Sequence, residues 1–187
     1  FTDLLSTICE KIYFNTPVIV NEAVNKNHPT TNSINSRSKI VSGLLRSELE
    51  PNLGLSGAGQ EVSILRSTLV RTGVLEDSSN APKINLHPQN YFMANLLDVI
   101  EKFVQDAREQ KMSFEELYAR LTTPKCYIGL RKGLVPIYVA AVFHEYKKEI
   151  ILYDKFAQVP LSNDTLLQIE AAPQDFTLQC LDWNNEK

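Results

Sequence analysis

Cysteine is scarce in this chain of 187 residues, with only Cys9, Cys126 and Cys180. The three are odd in number, far apart and set beside apolar neighbours. That argues against a disulfide framework and predicts small buried hydrophobes in a reducing, cytoplasmic setting. No apolar run approaches the ~18 residues that a membrane-spanning helix needs, and no signal-peptide pattern is visible, so no membrane association is expected. With 7 glycines and 9 prolines the chain lacks the bias of collagen-like or low-complexity sequences. An excess of basic charge is also missing: 19 Lys and Arg face 22 Asp and Glu, for a formal charge of -3. A protein built wholly as a nucleic-acid binder would be basic. Phe1 is not an initiator methionine, and the chain is expected to be a piece of a longer polypeptide.

Catalytic and cofactor signatures are missing too. The segment "NLGLSGAGQ" has the glycines of a phosphate loop, but Gly59 is followed by Gln60 and Glu61, not by the Lys and Ser/Thr that hold nucleotide phosphates and magnesium. His144-Glu145 opens like a zinc-protease helix, yet Lys148 stands where the second histidine belongs. His28 and His87 each precede a proline in a loop, and no cysteine pair has metal-ligand spacing. No nucleophile-elbow pattern supports a triad. The expectation is a non-enzyme with no cofactor and no metal.

What is present is helical periodicity. Thr2 to Tyr13 carries Leu4, Leu5, Ile8 and Ile12 on one face, and "PVIVNEAVNK" reads as a second short helix opened by Pro17. Ile34, Val41, Leu45 and Leu49 mark a third helix, and Glu61 to Thr72 a fourth closed by Gly73. The polar stretch from Glu76 to Pro88 reads as a linker, with a domain boundary near residue 80. Tyr91 to Gln110 predicts the longest helix, with a broad apolar stripe. Ser113 and Glu116 predict a capping box at the start of the next, with Met112 stapled onto Leu117. Leu134 to Tyr146 is an apolar helix, "EIILYD" and "FAQVP" form a hairpin, and a helix from Asn163 and a strand at Phe176 to Leu181 complete the pattern. The fold class expected is mainly α (α+β), with a helical lobe over residues 1–80 and a winged-helix-like lobe over 81–187. The second lobe carries a β-hairpin wing and a C-terminal strand.

Basic residues cluster locally despite the acidic total. Lys125, Arg131, Lys132, Lys147 and Lys148 fall in one stretch with a single acid, Glu145, and Lys26, Arg37, Lys39 and Arg46 form a second group. On a winged helix the first group flanks the apolar second helix, positions suited to backbone phosphates and not to base edges. The plainer reading of both groups is a solvated surface.

Five stretches resemble a region of the large P-loop ATPases of bacterial phage-exclusion (BREX and Pgl-type) defence systems and related multidomain ATP-binding proteins. They are "FNTPVIVNEAVNK", "SRSKIVSGLL", "SILRSTLVRTGVL", "YIGLRKGLVPIYVAAVF" and "EIILYDKFAQVPLSNDTLLQIEAAPQDF". In the last two, Gly129, Gly133, Pro136, Tyr153, Pro160, Pro173 and Phe176 fall at the family's spacing. The family's hairpin-turn glycine is absent, with Lys155 nearby, and Ser38 replaces its second basic residue in the second stretch. The resemblance implies a non-catalytic interaction or regulatory module that accompanies an ATPase engine. Its partners would be other domains of the parent chain or partner defence proteins. The alternative is a sequence-independent DNA-contacting module that grips phosphates through Lys125, Arg131, Lys132, Lys147, Lys148, Lys26, Arg37 and Lys39.

Overall fold

The apolar segment "LVPIYVAAVF" dictates the centre of the molecule. In the computed structural model, which describes residues 1–77 and 81–182, helix α7 (Val135–Tyr146) is buried on every side from Val135 to Phe143. A helix apolar all round must be enclosed by others. Helix α3 (Thr31–Leu44), capped by the Thr30 hydroxyl on the Ser33 N–H, lies against one side of it, and α5 (Tyr91–Glu109) against another. Helix α4 (Gln60–Leu65) packs on α3 and runs on as a π-helical turn, Arg66–Val70, closed by the Arg71 N–H on the Arg66 carbonyl. That wider turn turns the Thr68 carbonyl toward side-chain donors: it accepts the Tyr138 hydroxyl at 2.9 Å and the Thr72 hydroxyl at 2.7 Å. Gly73, at φ +78°, ends the segment as expected of a left-handed cap.

The second half gives a small antiparallel sheet. After α5 come β3 (Met112–Ser113), α6 (Phe114–Thr122), α7, β4 (Ile150–Tyr153), β5 (Gln158–Val159), α8 (Asn163–Ala171) and β6 (Thr177–Cys180). The strand order is β3-β6-β4-β5, so the last strand lies inside the sheet and the β4–β5 hairpin forms its edge. Leu178 and Cys180 of β6 turn inward against the core beneath α5, while Thr177 and Gln179 are only half-buried, the alternation of a strand with one covered face. The architecture is mainly helical with small antiparallel sheets, the expected fold class.

Several local expectations are corrected. "PVIVNEAVNK" is not one helix: only α2 (Glu22–Asn25) is helical, capped by Asn21. The preceding Val18, Ile19 and Val20 are 85%, 8% and 79% exposed, the period of two that β-branched residues favour in extended chain. The stretch read as a linker is partly paired, β1 (Leu75–Glu76) running antiparallel to β2 (Lys83–Ile84). Ser113 caps α6 through the Glu115 N–H, and Glu116 does not reach back because Arg120 and Lys125 hold its carboxylate. Cys9 is exposed, unlike the buried Cys180. The boundary expected near residue 80 falls on residues 78–80, outside the described residues. On either side of it, side chains from Ile19 to Cys180 belong to one continuous hydrophobic core.

Candidate functional site

The eight basic residues singled out by sequence divide into two sets once folded. Four are drawn into partners at scattered places. Lys125 reaches both Glu116 oxygens, at 2.6 and 2.7 Å, and Arg120 joins Glu116 to Asp106. Lys39 pairs with Glu61 at 3.0 Å. Lys147 donates to the carbonyls of Arg46 and Ser47, just beyond the C-terminal end of α3, where a cation is favoured by the helix dipole. Lys148 is exposed in the turn just past the end of α7. The apolar helix that these residues flank, α7, is buried from Val135 to Phe143 and offers no face to a DNA groove.

The other four, Lys26, Arg37, Arg131 and Lys132, converge on one pocket of about 320 Å3. It lies between the segment after α2, the first turns of α3, the chain entering α7, and α8. Arg37 is its fixed element. The side chain is 8% exposed and forks onto Glu170 of α8, Nη1 to Oε1 at 3.1 Å and Nη2 to Oε2 at 2.8 Å. Nη1 also donates to the Gly133 carbonyl at 2.9 Å. A side chain at residue 133 would bring its Cβ within 3.0 Å of that Nη1, which is a reason for glycine there. Arg131 donates to the Asn27 side-chain oxygen, and the Lys132 ammonium lies 5.9 Å from the Tyr118 ring centroid. Burial holds the Tyr118 phenol well above its ordinary titration range; the nearby Glu170 adds to the shift and Arg37 opposes it.

Sequence reasoning grouped the cations by their position in the chain and so assigned Arg37 and Arg131 to different patches. It also missed Glu170, whose partner lies 133 positions away. Nothing in the linear pattern around Glu170 signals that contact.

A second feature stands apart. Helix α1 (Thr2–Ile12) buries no side chain, and Leu4, Leu5, Ile8 and Ile12 are 38–61% exposed. The helix is nevertheless anchored at its end. Phe14 stacks on Tyr127 with ring centroids 4.7 Å apart, the Asn15 N–H donates to the Tyr127 carbonyl, and the Gly129 N–H donates to the Thr16 hydroxyl. Gly129 is required by this seat, because a Cβ there would lie 2.9 Å from the Tyr13 ring.

No family model, curated protein or solved structure matches the chain. The resemblance to phage-exclusion ATPases therefore rests on the five sequence stretches alone.

Proposed function

We propose that this chain is a non-catalytic interaction module of a larger P-loop ATPase of the bacterial phage-exclusion type, and that α1 is its docking element. The observation that carries the reading is the uncovered apolar face of α1 on a helix whose end is tied down. Leu5, Ile8 and Ile12 follow a three-then-four spacing, that of a helix seam that packs against a second helix. Exposed apolar surface gathered on one helix face marks a place of association, whereas single exposed hydrophobes do not. The occupant that fits is an apolar helix seam of the ATPase. The basic residues favour this reading over a DNA-gripping one, since Lys39, Lys125 and Arg37 are already held by carboxylates.

The test is reconstitution. The P-loop ATPase region encoded with this chain, expressed separately and mixed with it, is expected to form a stoichiometric complex in size-exclusion chromatography. The doubly substituted Leu5→Asp/Ile8→Asp chain, unchanged in melting temperature because both sites are exposed, is expected to elute alone. Absence of a complex, or one indifferent to the two substitutions, overturns the proposal.

A further inference from the structure

We infer that the pocket between α3, α8 and the segment before α7 binds a small phosphate-bearing molecule. Its lining brings four cations, Lys26, Arg37, Arg131 and Lys132, around a single carboxylate, Glu170. That carboxylate is already spent, since both of its oxygens are held by Arg37. Among the described residues no carboxylate pairs with Lys26, Arg131 or Lys132; Arg131 has only the neutral amide of Asn27, and Lys132 only the face of Tyr118. Three uncompensated cations facing one cavity repel each other, and an anion placed among them removes that repulsion.

Two further observations point the same way. The Arg37 Nε–H is buried and has no hydrogen-bond partner among the described residues. A buried donor left unsatisfied in a native fold is costly, and it leaves that edge of the Arg37 guanidinium uncompensated beside the cavity. The start of α3, through Pro29 and Ser33, also opens on the cavity, so the positive end of a helix of 14 residues adds to the field there.

The shape selects a small molecule over a polymer. Arg37 lies at depth, nearly inaccessible, and a cavity of about 320 Å3 is at the small end of ligand pockets. Beside the cations, Val24 and Ile34 give an apolar wall that can cover a short organic body. The class that matches is a phosphate monoester, whose dianion meets the cations while its body meets that wall. This inference is independent of the docking role of α1, which lies elsewhere on the chain.

The experiment is titration of the whole chain with inorganic phosphate and with glycerol 3-phosphate, followed by calorimetry and by amide chemical-shift mapping; glycerol is the uncharged control. Saturable binding is expected for both phosphates and not for glycerol, with shifts centred on residues 26–37 and 131–133. Tighter binding of glycerol 3-phosphate shows that the organic body is read along with the phosphate, and equal binding shows that the phosphate group alone is read. Arg131→Gln/Lys132→Gln, both at exposed side chains, is expected to weaken binding by about tenfold or more with an unchanged melting temperature. Lys125→Gln, outside the pocket, is expected to leave binding as it is. No saturation up to about 10 mM phosphate, or equal weakening by Lys125→Gln and the double variant, would overturn the inference.

Discussion

Arg37 on α3 and Glu170 on α8 meet in a two-bond fork, with Nη2 and Oε2 2.8 Å apart and both side chains largely withdrawn from water. The pair links a helix near the start of the chain to one near its end. A charge pair in this position is informative when one partner is removed, because the other is left buried and uncompensated.

Glu170→Gln is therefore expected to cost about 3 kcal/mol, the lower end for a buried pair, since Glu170 keeps some exposure. Arg37→Met should cost a similar amount. The double variant Arg37→Met/Glu170→Leu should be more stable than the sum of the two losses allows, because it strands no charge. Urea denaturation of the four proteins measures the coupling. Simple additivity would mean that the fork contributes nothing of its own.

Phe143 anchors a second relationship. Its ring meets Phe114 of α6 with centroids 6.2 Å apart, and Phe114 meets Phe103 of α5 at 5.4 Å, so three rings join three helices. All three are fully buried. Phe143→Ala is expected to cost about 3–5 kcal/mol and to lower the melting temperature by roughly 10 °C. A variant that melts with the parent would show that the centre of the molecule lies elsewhere.

These two sites differ in how visible they were. Phe143 sits in a run without charge from Gly133 to Phe143, and a helix apolar on every side is enclosed by other elements. The α5 stripe and the β4–β5 hairpin were legible for the same reason, as local periodicity reports local burial. The Arg37–Glu170 fork was not, because pairing across the chain is decided by the packing of α3 on α7 and α8 and leaves no mark on neighbouring residues. The Ser113–Glu116 capping box had the right letters, yet Lys125 and Arg120 compete for the same carboxylate and win it. The exposure of α1 was equally hidden: an amphipathic sequence states that an apolar face exists, not what covers it.

Acid should expose the Glu116 network. The Lys125 ammonium, followed by the Arg120 guanidinium, holds the Glu116 carboxyl below its ordinary value of 4.5; Lys102 and then Arg120 do the same to Asp106, ordinarily 3.8. Burial opposes both shifts without cancelling them. A carboxyl with a depressed folded pKa takes up protons more readily in the unfolded chain. Its contribution is thus complete above the ordinary value and is lost as pH falls through the lower folded one. Lys125→Ala is expected to melt below the parent near neutrality, with the gap closing as pH drops below about 4. A gap independent of pH would mean that Lys125 acts through packing and not through this carboxylate.

The remaining prediction concerns DNA and turns on how many cations are free to release counterions. If Lys125, Arg131, Lys132, Lys147 and Lys148 all gripped a duplex, the logarithm of affinity would fall with the logarithm of salt at roughly -0.9 per phosphate, about -3 to -4 with most of them engaged. Lys125 is instead committed to Glu116, and Lys147 to the carbonyls beyond the end of α3, so neither is available without breaking an internal contact. Arg131 and Lys132 border a concave pocket and not a surface that follows a duplex backbone. Weak binding with a shallow salt slope is expected in fluorescence anisotropy with duplex DNA, alike for all sequences because no candidate reads a base edge. Charge reversal separates the two kinds of phosphate contact. Lys125→Glu/Lys148→Glu would abolish a DNA grip while sparing the pocket, whereas Arg131→Glu/Lys132→Glu would damage both. Submicromolar DNA binding near physiological salt that is lost in the first pair would establish a duplex-binding surface and remove the argument that these cations are spent inside the fold.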